Sequence, residues 1–344
     1  MTSRAYDAAH TAGRLPGGLV VSLDFELAWG VLDAPGADGP YKANLLGARE
    51  AIPRILDLFA DYGVAATWAT VGFLFAESRE ELEAFSPARR PAYANPAFAT
   101  YGERVGASER ADPTRFAPSL IRLIAQTPRQ RIGTHTFSHY YCLEAGQTVD
   151  DFDADLGAAV AIARARGISV RSIVFPRHQV RVDYLPVLTR HGIVSYRGNE
   201  GHFLDRPEPY PGGSLPVRAA RRANAYVPLT GHHTVPWSLT RPRDGLVNVP
   251  ASHFLRPIES RLLGLEPLRI GRLRRAMRAA AQRGALLHVW WHPHNMGVRT
   301  DEHLACLRDL LETYQDLNEE TGFASFALED VADHALTLAS APES

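Results

Sequence analysis

Lysine is all but missing from this chain of 344 residues: of its 37 basic residues only Lys42 is a lysine, and the other 36 are arginine. Schiff-base enzymes and phosphate-loop enzymes each need a lysine in a particular setting. Lys42 lies in GPYKANLLG, which is neither a Gly-rich phosphate loop nor an apolar pocket wall. That argues against a pyridoxal enzyme and against a P-loop nucleotidase. The arginine bias itself reads as genome composition. Charge of one sign is also scarce, with a formal net of -1. Nucleic acid calls for a basic surface, so none is expected as a ligand. The longest basic run, Arg272 to Arg278, falls inside a helical pattern and reads as a solvated helix face. No apolar run reaches the roughly 18 residues of a membrane span. The N-terminal MTSRAYDAAHTAGRLPGG has no apolar core and does not read as a secretory signal. Cys142 and Cys306 follow no metal or redox spacing, which suits a reducing cytoplasm.

What is present is a regular alternation. Residues 1–15 read as a flexible tail, and residues 16–344 as a single domain. GLVVSLDF (18–25), VAATWAT (64–70), 131–135, SIVFP (172–176), IVSY (193–196), LVNVP (246–250), ALLHVWW (285–291) and FASF (323–326) read as strands. Helical spacing follows most of them, over 44–62, 120–125, 148–166, 184–191, 257–283, 301–319 and 328–338. Continuously apolar strands that alternate with helices are parallel and buried on both faces. About seven such repeats suit an incomplete or distorted (β/α)7 barrel better than an open sheet. The first strand lacks the Gly-x-Gly-x-x-Gly turn of dinucleotide-binding sheets. Two stretches, 77–118 and 197–256, break the pattern and read as loop excursions over the barrel. In parallel barrels chemistry sits at the C-terminal strand ends.

Those ends carry the candidates. SLDFE places Asp24 and Glu26 two apart, on one face of a strand. Two carboxylates so close repel, and one is expected to hold a metal or a proton. HTFSH places His135 and His139 four apart, a spacing that brings both to one face of a helical turn and suits one metal. The zincin glutamate is missing, because Thr136 stands in its place. FPRHQ puts Arg177 and His178 after a strand, where an arginine could hold a catalytic carboxylate ionised and aimed. HVWWHPHN carries His288 deep in its strand, where a hydrogen-bonded core role is expected, then His292 at the strand end and His294 in the loop. Trp29, Trp291, His294 and Asn295 flank these motifs and are the candidates for substrate contact. Trp68 and Trp290 belong to the same set of tryptophans, and such rings serve equally as sugar platforms or as core.

In this order, SLDFE, HTFSH, FPRHQ, HVWWHPHN and the closing FALEDVADH resemble the polysaccharide deacetylase family, the NodB-like carbohydrate esterases of the family 4 type. The resemblance covers about residues 16–340. It implies an incomplete (β/α) barrel and metal-dependent hydrolysis of an acyl group, usually from an N-acetylated sugar. By resemblance His135 and His139 bind the metal, Asp24 is the general base and His292 the general acid. Phe25 breaks the family's usual pair of aspartates, so Glu26 is the expected third ligand, as in branches with an Asp-x-Glu motif. The family's Arg-before-Pro motif is reversed here, as Pro176-Arg177. The implied cofactor is a divalent ion, Zn²⁺ as first choice, with Arg177 orienting Asp24. A carbohydrate or small-molecule substrate is expected. An amidohydrolase acting on a linear or cyclic non-sugar C–N bond, and a carbohydrate-binding barrel without metal, are the competing readings.

Overall fold

A computed structural model describes residues 16–32, 39–199, 220, 223–226 and 230–340. The expected N-terminal tail, and much of the excursion at 197–256, lie outside the described residues. Among the described residues nine strands form, all in parallel ladders: β1 (Gly18–Phe25), β2 (Ala66–Thr70), β3 (Gln130–Thr134), β4 (Ser172–Val174), β5 (Ser195–Gly198), β6 (Val247–Pro250), β7 (His253–Phe254), β8 (Leu286–Trp291) and β9 (Ala324–Phe326). Neighbours run β6-β5-β4-β3-β2-β1-β8-β7, and β9 pairs with the first half of β1. Every residue of β1 is buried, as its unbroken apolar run requires of a strand covered on both faces.

The two ends of that sheet are one piece of chain. The Ala251 N–H donates to Gly198 O of β5, and the next residue, Ser252, donates to His288 O of β8. The segment 247–254 therefore changes partners at a bend and closes the sheet. The result is a distorted (β/α)7 barrel, with β6 and β7 acting as one bent stave.

Helices α1 (Lys42–Asp61), α2 (Arg79–Phe85), α3 (Pro118–Gln126), α4 (Val149–Ala165), α5 (Leu185–Arg190), α6 (Glu266–Arg283), α7 (Thr300–Thr321) and α8 (Leu328–Ser340) follow the strands. Each lays an apolar face on the barrel or on a neighbouring helix or turn. In α1 that face is Leu45, Ile52, Ile55, Leu56 and Phe59, all buried. Thr148 and Asp151 form a capping box at the start of α4, and Gly284, at φ 60°, ends α6. The excursion at 77–118 holds α2 and two short 3-10 turns, Pro96–Phe98 and Thr100–Gly102. Among the described residues no helix is long and apolar enough to cross a membrane.

Close backbone approach fixes two loops at the barrel mouth. A Cβ on Gly47 of α1 would meet Gly297 O at 1.7 Å, and one on Gly297 would meet Asn44 O at 2.0 Å. Only glycine allows α1 to lie this near the turn that follows β8. A Cβ on Gly72 would likewise meet the Phe137 ring at 2.4 Å, and the Gly72 and Phe73 N–H groups donate to Thr136 O and Phe137 O.

Candidate active site

The alternation of β1 turns Ser22 and Asp24 into the barrel, and Glu26 follows at the strand's end. Asp24 is buried, and Arg197 of β5 meets it as a two-pronged ion pair, with Nη1 on Oδ1 and Nη2 on Oδ2, each at 2.7 Å. Arg197 Nη1 also donates to Ser22 Oγ at 3.0 Å. Ser22 Oγ lies 2.8 Å from His288 Nε2, and His288 Nδ1 faces Pro250 O at 3.1 Å. The donors and acceptors thus run in one direction, from the Arg197 guanidinium to Ser22 Oγ, from the Ser22 hydroxyl to His288 Nε2, and from the His288 Nδ1–H to Pro250 O. Burial alone would raise the Asp24 pKa, but Arg197, His135 and His292 outweigh it and hold it at about 2. Burial, followed by the charge of Arg197, pushes the His288 pKa down to about 3, which keeps it a neutral link.

Glu26 lies beside both histidines of HTFSH. Its Oε2 is 3.0 Å from His139 Nε2 and 3.3 Å from His135 Nε2. Glu26, His135 and His139 offer ligand atoms all within 4.8 Å of one another, and all three residues are buried. His135 Nδ1 is 2.8 Å from Val174 O, so Nδ1 carries the hydrogen and the lone pair is on Nε2. That Nε2 is buried without a hydrogen-bond partner, a costly state for a ring nitrogen unless it binds something. Two donors at 2.0–2.1 Å in a tetrahedral site stand about 3.3 Å apart, close to the spacings seen here. The cluster therefore fits a divalent ion of the zinc type. Gly30 makes room for it, because a Cβ there would meet Glu26 Oε1 at 1.9 Å.

The HTFSH segment is a loop, which corrects the expected helical turn. Thr136 and His139 take positive φ, 65° and 59°. Asp155 of α4 holds this strained backbone. Its Oδ1 accepts from the Phe137 N–H at 2.7 Å, and its Oδ2 accepts from Tyr101 Oη at 2.6 Å and from the Ser138 hydroxyl. Leu27, Arg177 and His178 also have positive φ. Unfavourable backbone is thus gathered at the strand ends, as at many functional sites.

His292 follows β8 and completes the group. Its Nε2 is 3.5 Å from Glu26 Oε1 and 3.8 Å from Asp24 Oδ2. Its side chain is 24% exposed while those of Asp24 and Glu26 are 5%, so the group opens to solvent on the His292 side. Trp290 lines the same wall. Arg197 sits 4.4 Å above its ring, and Phe254 and His178 pack on it at 4.5 and 4.4 Å. Burial and then Arg197 bring the His178 pKa down to about 3.

No protein-family model matches this chain, and no curated protein does. Solved structures do. A Mycobacterium smegmatis protein assigned as a polysaccharide deacetylase aligns over 96% of this chain and 94% of its own, at 14% identity and TM-score 0.57. A Pseudomonas aeruginosa PAO1 protein assigned likewise aligns over 97% and 95%, at 13% identity and TM-score 0.56. The chain has the polysaccharide deacetylase fold. A 4-alpha-glucanotransferase from Thermococcus litoralis also aligns, over 93% of this chain and 40% of its own, at 12% identity and TM-score 0.51. The fold thus hosts more than one chemistry, and function has to be argued from the site.

On this deacetylase fold, Asp24, Glu26, His135, His139 and His292 come together as the sequence motifs suggest. Arg177 does not take the place expected of it. Asp24's guanidinium partner is Arg197, while Arg177 lies 5.1 Å over the Tyr141 ring and 5.7 Å over Phe98. The cause is strand length. β5 runs on to Gly198, so Ser195 and Arg197 face the barrel interior, whereas the sequence places residue 197 at the start of an excursion. Trp29 and Trp291 are corrected as well. Both are 1% exposed, Trp29 packed on Phe73 and Trp291 on Phe59, so they belong to the core beneath the helices. On β8 the inward positions are 288 and 290, which makes Trp290 the tryptophan of the site. His294 and Asn295 are buried behind His292. His288 has the hydrogen-bonded core place expected of it. Asp155 and Phe254 carry no sequence signal of their own. An arginine on the inward register of a barrel strand is the signal that could have found Arg197, since such a charge must be paired.

Proposed function

We propose that this protein is a metal-dependent hydrolase that removes an acyl group, an N-acetyl group first of all, from a carbohydrate or sugar-containing substrate. One observation carries the reading: a buried Glu26–His135–His139 cluster shares one carboxylate-lined space with Asp24, held ionised by Arg197, and with the solvent-facing His292. A divalent ion held by Glu26, His135 and His139 would supply Lewis acidity, acidifying water and polarising the acyl carbonyl. Asp24 takes the proton of the attacking water. Arg197 keeps Asp24 charged until that moment and fixes the direction of its oxygens. His292 delivers a proton through Nε2 to the departing amine, a contribution of about 10² to 10⁴-fold. Trp290 and Phe254 wall the site beside His292.

The near-neutral charge suits an uncharged substrate. Cys142 and Cys306 are both free thiols, which supports a cytoplasmic setting. A second reading, an amidohydrolase acting on a non-sugar linear or cyclic C–N bond, is favoured by the burial of Trp29 and Trp291. With those two in the core, and with Trp290 covered by Arg197 and Phe254, the expected sugar platforms are gone. Metal-loaded protein incubated with N-acetyl sugars, nucleotide-sugars and cyclic amides tests both readings, with Asp24→Asn as the blank. Release of acetate from the sugars supports the first, and ring opening alone supports the second. Full metal content and full turnover in His135→Ala would overturn both.

A further inference from the structure

We propose that the outer face of β5 and β6 carries a second binding site, one for an amphiphilic carboxylate, a molecule with an extended apolar body and one anionic end. The inference goes beyond the hydrolase reading and does not depend on it. A cavity of about 940 Å³ lies on that face, a size that suits a small organic molecule.

Strand parity builds its floor. Ser195 and Arg197 face the barrel interior, so Tyr196 between them faces outward, and its register partner on β6 is Asn248. Side by side, the two put a ring, a phenol hydroxyl and an amide on the outside of the sheet. α5 and the turn before it form one wall, with Val182, Leu185, Pro186 and Thr189. Leu239, Pro242 and Leu246 form the other. Val182 is 77% exposed and Leu239 56%, so apolar side chains stand open along both sides. Along β6 the floor runs from Leu246 to Pro250, about 13 Å at a strand rise of about 3.3 Å per residue, which is room for an extended alkyl chain.

The polar groups of the cavity favour an anion. Among the described residues the Tyr196 hydroxyl and Asn248 Nδ2 have no hydrogen-bond partner, and Arg241 and Arg243 have no ion-pair partner. Asn248 Oδ1 is shut away over Gly198, where a Cβ would meet it at 2.0 Å, so Nδ2 is the open end of the amide. Asp244 is the one acid among the described lining residues, and the two arginines outweigh it. Arg243 is fixed by a tight turn, in which its N–H donates to Leu246 O at 2.8 Å and the Leu246 N–H donates to Arg243 O at 2.9 Å. Asp244 and Gly245, at φ 50° and 78°, are the two left-handed residues of that turn. Burial raises the Tyr196 pKa and Arg243 offsets part of the rise, so the phenol is a neutral donor near this arginine. A carboxylate at that end gains charge-assisted hydrogen bonds, while its apolar body covers Tyr196, Leu239 and Leu246. A neutral apolar molecule would leave the arginines unused, and a bare inorganic anion would leave the walls wet.

Fluorescence titration of the full-length protein with a dansylated undecanoic acid tests this, with the methyl ester of the same molecule as the neutral control. The acid is expected to bind at one site, about tenfold tighter than the ester. Arg241→Gln/Arg243→Gln should weaken the acid by about that factor and leave the ester unchanged. Leu239→Glu, at an exposed position, should weaken the acid as well, and circular dichroism checks that both variants fold. His292→Gln should leave the titration as it is in the wild type. Equal affinity for acid and ester would overturn the anionic class. No binding of the acid, or binding lost in His292→Gln and untouched by the arginine and leucine variants, would overturn the site. None of these titrations reads turnover, so failure of the hydrolase reading and failure of this one are told apart.

Discussion

Replacing Arg197 by methionine removes one half of a fully buried pair. Arg197 is 1% exposed and Asp24 3%, so water cannot take the guanidinium's place. Breaking such a pair from one side costs about 3–5 kcal/mol, because the remaining charge stays buried and uncompensated. Asp24 escapes part of that cost by taking a proton, which burial favours once the arginine is gone. It then has no lone pair free to act as a base at neutral pH. Arg197→Met is therefore expected to lose stability and turnover together. The acid side of the stability profile should change as well. In the wild type the folded Asp24 pKa is about 2 against an ordinary 3.8. The stabilisation this gives, about 2 kcal/mol, is fully present above pH 3.8 and is lost as the pH falls toward 2. In Arg197→Met that acid loss should vanish. Urea unfolding followed by circular dichroism between pH 2 and 7 measures both effects, and the double variant Asp24→Asn/Arg197→Met isolates the coupling. Arg197→Lys keeps the charge but not the fork, and should fall between. If Arg197→Met lies within about 1 kcal/mol of wild type and keeps its turnover, the pair has neither role, since exposed pairs contribute only about that much.

Gly30→Ala puts a methyl group where the Glu26 carboxylate lies, so bound metal measured by atomic emission should fall sharply while circular dichroism stays unchanged. Asp155→Asn replaces an acceptor by a donor facing the Tyr101 and Ser138 hydroxyls. It should loosen the His135–His139 loop and weaken metal affinity about 10 to 100-fold in a competition titration, as losses behind a metal ligand do. Gly297→Ala pushes the turn after β8 away from α1. It should lower kcat by about 10²-fold per ångström of displacement while leaving metal content intact, a combination that separates His292 from the metal cluster.

The barrel was legible because its strands are unbroken apolar runs, GLVVSLDF above all, which occupies β1 from end to end. The Glu26–His135–His139 cluster was legible because its residues lie in two short segments at strand ends. Arg197 was not, because one residue of strand length decides whether a side chain enters the barrel or leaves it. The tryptophans failed for the same reason of parity: 290 and 291 are both strand residues, and only the register with β1, Ser22 against Trp290, says which one faces inward. The loop form of HTFSH was hidden because its spacing equals that of a helical turn, and what bends it is Asp155, a residue of the next helix.

The closure of the barrel assembles the site from two arcs. Among the described residues, β3 and β4 share one register pair, Thr134 with Ile173, and α8 spans both arcs, its Asp333 paired with Arg171 beside β4 and its Leu328 N–H donating to Thr67 Oγ1 of β2. Glu26, Asp24, His135 and His292 all ride on the well-laddered arc. From the other arc Arg197 reaches Asp24, and Val174 O reaches His135 Nδ1. A shift of the β4–β6 arc would therefore be felt at Asp24 and at His135 together. The two carboxylate-bearing parts of the site are thereby tied to one wall of the barrel, and one displacement there would disturb both.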